Sequence, residues 1–124
     1  MTFAKRTLFL LVVAVFMMSS MALAALTMPA ELEAEFTQYP GSTIVNVVDA
    51  GTIVQVIIDC GDDTLDEVYD YYKEKATGNG WTVQMEDQSV DIYVMLMKKG
   101  TNGGNVTVAV EDGKTSATVS IMKQ

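Results

Sequence analysis

The chain has 124 residues, with 8 basic and 16 acidic side chains and a formal net charge of −8. This length is enough for one domain. Nucleic acids and anionic membrane surfaces attract basic patches, so the acidic balance argues against both as partners. The absence of histidine excludes His-dependent hydrolytic triads, Cys–His pairs and His-ligated zinc sites.

The first 24 residues have the pattern of a cleaved signal peptide. Two basic residues precede an apolar run over Leu8–Met18, and Ala22-Leu23-Ala24 matches a cleavage site. We therefore expect a mature domain over residues 25–124, in the bacterial periplasm or secreted, without stable membrane insertion. An uncleaved anchor over Thr7–Leu26 is the alternative, because that segment is about long enough to span a bilayer.

Short elements precede the main helix. Leu32 and Phe36 lie four residues apart among glutamates and predict a helical turn within Pro29–Gln38. Two β-strands, Ile44–Val48 and Ile53–Asp59, are predicted to form a hairpin around the turn between them.

The stretch Asp62–Trp81 predicts the main helix and its exit into a strand. An apolar stripe recurs at helical spacing, formed by Leu65, Val68, Tyr69, Tyr72 and Ala76. Thr64 and Glu67 have the spacing of a capping box, in which each side chain accepts from the other residue's backbone N–H. Gly78 is expected to close the helix in the left-handed conformation.

Alternating segments after the helix predict four more strands. The first of these strands begins at Trp81 and the second at Val90. The third contains Val106, Val108 and Val110, and the last contains Ala117, Val119 and Ile121. A flexible loop is expected over Gly100–Asn105, and Asp112-Gly113 is a hairpin turn. The order β-β-α-β-β-β-β predicts an α+β, two-layer domain, an antiparallel sheet with one main helix across one face.

Three short motifs carry a resemblance to a known family. Tyr39-Pro40-Gly41, then Tyr71-Tyr72-Lys73, then Gly80-Trp81 resemble the YPG…YY…GW pattern of small secreted bacterial domains of unknown function. The helix and its Gly-Trp exit are also similar to the helix-grip domains of outer-membrane assembly lipoproteins. This chain lacks their lipid-attachment cysteine. The resemblance implies a fold and no particular activity.

The sheet face turned away from the helix is the predicted binding surface. Alternation places on this face Tyr93, Met95 and Met97 from one strand and Ile53 and Ile57 from another. Ile44, Val48 and Met122 are expected nearby. Because one helix cannot cover both faces of a sheet, we expect an apolar interface for a protein partner or a second copy. The alternative is that the segment containing Leu32 and Phe36 folds over this face.

Three further binding modes remain open. A small apolar ligand would need a cavity beneath Tyr69, Tyr72 and Trp81, and these rings with Tyr71 could also form a platform for a sugar or peptide. A calcium site would use Asp59, Asp62, Asp63 and Asp66, although their spacing is not that of an EF-hand. The alternative is that these carboxylates bind no metal and stabilise the positive end of the helix dipole.

The sequence points to no catalytic residue and no cofactor. The lone cysteine, Cys60, cannot form an intrachain disulfide and is expected to be a half-buried thiol at a strand end. A dimerising disulfide and a reactive thiol are the alternatives. We expect a non-catalytic binding module.

Overall fold

The computed structural model describes residues 26–124, so the predicted signal segment over residues 1–24 lies outside the described residues. The alternative anchor lies outside them too, apart from Leu26. The elements are α1 (Ala30–Glu35), β1 (Thr43–Asp49), β2 (Ile53–Asp59), α2 (Leu65–Gly78), β3 (Thr82–Gln88), β4 (Ile92–Lys99), β5 (Asn102–Glu111) and β6 (Lys114–Met122). Neither described helix is long and apolar enough to cross a membrane.

All six strands form one antiparallel sheet in the order β1-β2-β6-β5-β4-β3. The first hairpin joins the later meander because β6 pairs with β2 over Ile53–Asp59. The predicted α+β, two-layer class is confirmed. Strand order was not predictable from the hairpins alone, because the partner of β2 comes from the far end of the chain.

Helix α2 begins and ends through local contacts. Glu67 N donates to the Thr64 hydroxyl at 3.2 Å and Thr64 N donates to the Glu67 carboxylate at 3.3 Å, so the capping box is present. The sequence predicted that Gly78 would close the helix in the left-handed conformation, but the left-handed glycine lies two residues later. Gly78 is the last helical residue, and Gly80, with φ of +91°, turns the chain instead.

Both helices lie on the same face of the sheet. Helix α2 packs over β3, β4 and β5, and α1 packs over β2 and β6. A sheet of six strands is about 24 Å wide, whereas a single helix is about 10 Å across. Helix α1 therefore completes the cover, and its Leu32 and Phe36 are fully buried in the common core. The alternative that this segment covers the opposite face is wrong.

The predicted flexible loop over Gly100–Asn105 is also mostly strand. Only Gly100 and Thr101 form the turn, and pairing with β4 begins at Asn102. Glycines suggested a loop here, but Gly104 lies under the ring of Trp81. A Cβ built on Gly104 would stand 2.9 Å from Trp81 Cζ3, so this strand position has no room for a side chain.

Both edge strands carry an irregularity. The register shifts between Ile44 and Asn46 in β1 and between Val83 and Met85 in β3. Bulges of this kind disturb the free hydrogen-bonding edge and oppose strand addition by another chain.

Candidate functional site

Both helices of residues 26–124 pack on one face of the sheet, and the opposite face carries no helix. Directly paired residues of antiparallel strands share a face, so the register identifies its members. On β2 they are Ile53, Gln55 and Ile57, and on β4 they are Ile92, Val94 and Leu96, with charged residues towards the strand ends. On β5 and β6 between them they are mainly small and polar: Asn105, Thr107, Ser116, Thr118 and Ser120. We call this surface the open face.

Several large apolar side chains of the open face are exposed to solvent. The exposed fraction is 39% for Ile53, 45% for Ile92, 36% for Leu96 and 50% for Met122. Scattered exposed apolar residues are ordinary, whereas a connected apolar surface marks an interaction site. Ile92, Val94 and Leu96 alternate along one strand, so they form a connected stripe.

Charged residues of the open face stand at strand ends or on an edge strand. By register they are Asp59, Asp87, Lys98, Glu111 and Lys114. The middle of the open face therefore consists of neutral side chains, although the chain as a whole has a net charge of −8.

The predicted binding surface is split by the structure. Ile53 and Ile57 lie on the open face, as do the neighbouring Val48 and Met122. Met95 and Met97 instead point into the core, with 0% and 2% of their surface exposed.

Tyr93 also lies on the helix side, with its ring centre 5.4 Å from that of Tyr69 in an edge-to-face arrangement. Ile44 pairs with the buried Ile58 and shares that side. The predicted set of Tyr93, Met95 and Met97 on the face away from the helix is wrong.

The error has a simple origin. Both faces of β4 are apolar, so alternation separates two sets of side chains without saying which one meets the helix. Pairing decides this, because Met95 lies opposite Val106, Val106 opposite Val119, and Val119 opposite Val56.

The space beneath α2, where an apolar ligand would need a cavity, is filled by side chains. Tyr69 and Tyr72 are almost fully buried, and 4% of Trp81 is exposed. The Tyr69 hydroxyl donates to Glu86 at 2.7 Å, and Tyr72 accepts from Tyr39 N at 3.0 Å. The rings of Tyr69, Tyr72 and Trp81, beneath which a ligand would need a cavity, therefore belong to the core.

The tyrosines of the family-like motifs hold the turn before β1 against α2. The Tyr39 ring meets that of Tyr71 edge-on with centres 5.1 Å apart, and Tyr71 meets Tyr72 in the same way. The Tyr39 hydroxyl donates to Asp63 at 2.7 Å, and this bond raises the pKa of Tyr39. The side chain of Tyr71 is half-buried rather than fully exposed to solvent. Burial raises its pKa, and Lys75 Nζ lies 5.5 Å from its ring centre.

The four aspartates considered for calcium do not converge. The Asp59 carboxylate accepts from Gly61 N at 2.9 Å, Asp62 pairs with Lys114 at 2.8 Å, and Asp63 accepts from Tyr39. Within residues 26–124 no group of three or more acidic or cysteine side chains is arranged to hold a metal. The hydrogen bond from Lys114 lowers the pKa of Asp62, as expected for an ion pair.

Cys60 is a buried free thiol. Burial, together with the charges of Asp59 and Asp63, raises its pKa to about 12. Since the thiolate is the reactive form, this environment disfavours both a reactive thiol and a dimerising disulfide.

A concave region lies beside α1, and the sequence did not predict it. A cleft of about 490 Å³ is lined by Glu31, Ala34, Glu35, Trp81, Lys99, Gly100, Asn102, Ile121 and Lys123. Glu35 accepts from Trp81 Nε1 and pairs with Lys99, both at 2.8 Å. Burial alone would raise the pKa of Glu35, but these two hydrogen bonds outweigh it and the pKa is lowered. The one sequence signal for this position is that Glu35 directly precedes the predicted core residue Phe36, which places Glu35 near the edge of the core.

These features define a small α+β domain with two helices on one face of an antiparallel sheet and an open second face. A family model described as START domain-like matches residues 45–122, which is more than half of the chain. The protein belongs to this START domain-like family. Comparison with curated proteins and with solved structures found no significant match.

Proposed function

We propose that this protein is a non-catalytic binding module that engages a protein partner through the open face. Membership of a START domain-like family supports a binding role. The observation that carries the proposal is the connected apolar stripe of β4 on the open face, formed by Ile92, Val94 and Leu96, in which Ile92 and Leu96 are more than one third exposed. The location in the periplasm or outside the cell is part of the proposal and rests on the sequence of residues 1–24.

The described carboxylates with lowered pKa values support the proposal that the module is not catalytic. Glu35 pairs with Lys99, Glu86 with Lys73, and Asp62 with Lys114. A general acid or base needs a pKa near the working pH, whereas these ion pairs keep the carboxylates charged. They suit structural roles.

Site-specific photo-crosslinking in the producing cells tests the proposal. A photoreactive amino acid at Val94 or Ile57, both half-buried on the open face, is expected to form an adduct with a protein chain. The control position is Asp70, which is exposed on α2 in the opposite layer and is expected to form none. Adducts at neither Val94 nor Ile57 would contradict the proposal. An adduct only within the same chain would also contradict it, because the chain's own N-terminal segment would then occupy the face.

The cleft beside α1 favours a second candidate, a module that holds a small molecule. Ala34, Trp81 and Ile121 supply apolar wall, and Lys99 and Lys123 stand at its rim. Trp81 is the single tryptophan, so its fluorescence reports directly on this cleft. The probe anilinonaphthalene sulfonate should quench that fluorescence by energy transfer, and Ala34→Leu should weaken the effect by filling the cleft. Unchanged Trp81 fluorescence at saturating probe would reject this candidate.

A further inference from the structure

Strand β4 is apolar on both of its faces. Residues 92–97 form the longest uninterrupted run of apolar and aromatic side chains in any strand of residues 26–124. Alternate members of this run face the helices, and the others, Ile92, Val94 and Leu96, form a stripe on the open face. A strand with one face in water alternates apolar and polar residues, whereas a strand covered on both faces reads as a continuous apolar run. Strand β4 therefore has the sequence of a strand that is covered on both faces.

The neighbours of the β4 stripe limit the width of the missing cover. On β3, Met85 pairs with Leu96 and is 50% exposed. On β5, the polar Asn105 and Thr107 lie beside the stripe. The apolar surface is thus one to two strands wide, about 5–10 Å, which suits a helix about 10 Å across. A second sheet packed face to face would need apolar side chains over a broader surface.

The same part of the sheet already carries a helix on its other side. Helix α2 packs over β3, β4 and β5, and helices on both faces of a sheet are one of the stable layer arrangements. A helix over the β4 stripe would complete this arrangement at the one strand that is apolar on both faces.

Charges beside the β4 stripe give a covering helix a direction. Asp91 lies in the turn just before the stripe and Asp87 beside its middle, on the edge strand β3, whereas Lys98 lies just after it. None of the three forms an ion pair with a residue of the range 26–124. A helix carries partial positive charge at its N-terminal end and partial negative charge at its C-terminal end. The charges therefore favour a helix whose N-terminal end lies near Asp91 and whose C-terminal end lies near Lys98.

We infer that the partner of the open face contributes an amphipathic α-helix that lies along the β4 stripe in this direction. The inference rests on the proposed function and names the chemistry of the partner. The helix presents apolar residues at three- and four-residue spacing to β4. On the flank over the β3 edge it carries a basic residue, which pairs with Asp87.

A helix and an extended segment would follow the β4 stripe with different steps. Alternate residues of a strand are about 6.8 Å apart, and a helix rises about 1.5 Å per residue. Each step along the stripe therefore corresponds to about four to five residues of a helical partner. An extended partner would advance by about two residues per step.

Mapped photo-crosslinking in the producing cells tests the helix. A photoreactive amino acid is placed singly at Ile92, Val94 and Leu96 of the full chain, and mass spectrometry identifies the crosslinked residues of the partner. The three sites should lie in one segment, advancing by about four to five residues at each step. They should run towards the partner's C-terminus from Ile92 to Leu96. The same group at Asp70, exposed on α2, should form no adduct.

A substitution beside the crosslinking position supplies a second readout. With the photoreactive group at Leu96, Val94→Lys should lower the adduct yield by about tenfold or more, because a lysine buried against an apolar helix face lacks a partner. Thr77→Lys makes the same charge change at an exposed position of α2 and should leave the yield unchanged. Circular dichroism melting shows whether each variant is folded.

Several results would overturn the helix and leave the proposed function standing. They are a step of two residues, crosslinks scattered over separate segments of the partner, and adducts at Ile57 with none along the β4 stripe. Sites that run in the opposite direction would also overturn the inference, since the charges set its orientation. An adduct yield that Val94→Lys leaves unchanged would do the same. Absence of any intermolecular adduct on the open face would reject both the helix and the proposed function.

Discussion

The indole of Trp81 and the carboxylate of Glu35 join the two helical segments, with Nε1 donating to Oε2 at 2.8 Å across 46 positions of the chain. Lys99, at the end of β4, completes the contact by pairing with the same carboxylate. One glutamate therefore anchors α1 to the exit of α2 and to the sheet. The apolar side of α1 could not fix its direction so specifically, because apolar contacts are not directional.

Glu35→Gln should destabilise the fold by about 1 kcal/mol at neutral pH, because the amide still accepts from Trp81 but cannot pair with Lys99. The folded pKa of Glu35 lies below its ordinary value of 4.5. Its contribution is therefore present above the unfolded pKa and lost as pH falls through the folded one. The difference in unfolding free energy between wild type and variant should shrink on acidification below about pH 4.5. Urea denaturation across pH measures it.

A matched control for this prediction is Glu31→Gln, which removes the other ion pair of α1, with Lys123. That pair is largely exposed, so the expected loss is smaller, about 0.5 kcal/mol or less. Equal losses for the two variants would contradict the anchoring role of Glu35.

Gly104→Ala should destabilise the protein by about 1–3 kcal/mol, as overpacking of a filled core usually does. The new methyl group would stand 2.9 Å from Trp81 Cζ3 and 3.1 Å from Met97 Cγ. Gly103→Ala is the control, since its Cβ meets nothing within 4 Å and alanine reduces the entropy of the unfolded chain. Thermal unfolding should rank Gly103→Ala at or above wild type and Gly104→Ala below it. The reverse order would show that Trp81 is not packed on this strand.

Tyr72→Phe should cost about 1–2 kcal/mol, because the N–H of Tyr39 would lose its acceptor at the edge of the core. The hydroxyl of Tyr72 accepts that N–H at 3.0 Å. Tyr71→Phe is the control. Its hydroxyl makes a longer bond, 3.3 Å to the Gln38 carbonyl, at a half-buried position, so the loss should be less than about 1 kcal/mol. Chemical denaturation of the two variants decides the point, and a larger loss for Tyr71→Phe would contradict it.

Cys60 should resist thiol reagents in the native protein at mildly alkaline pH. Its pKa of about 12 leaves very little thiolate, and the side chain is 6% exposed. Labelling with dithionitrobenzoate should follow unfolding as urea is raised. Thr101→Cys adds a thiol at an exposed turn and should label at once. Rapid labelling of native wild type would show that Cys60 is accessible.

Much of the local structure is readable from the sequence. The capping box of Thr64 and Glu67, the α1 turn, the β1–β2 hairpin and the Asp112-Gly113 turn depend on neighbouring residues and appear where the sequence predicts them. The Gly/Asn stretch Gly100–Asn105 failed as a loop prediction, because the reason for glycine at 104 is a tryptophan more than twenty residues away.

The candidate site divides in the same way. Alternation in β2 placed Ile53 and Ile57 on the open face, and the structure agrees. Alternation in β4 separates two sets of residues, one with Tyr93, Met95 and Met97 and the other with Ile92, Val94 and Leu96. It could not show which set lies on the open face, because both sets are apolar.

The sequence by itself determined most of the elements, their α+β class and the presence of apolar positions on both sheet faces, since hydrophobic period, capping and turn residues act over a few positions. Tertiary structure decided the strand order, the side of the sheet that receives both helices, and hence which side chains remain outside. Those choices follow from long-range pairing of β2 with β6 and from the packing of Phe36, Trp81 and Gly104. Such contacts join residues far apart in the chain, where no local pattern records them.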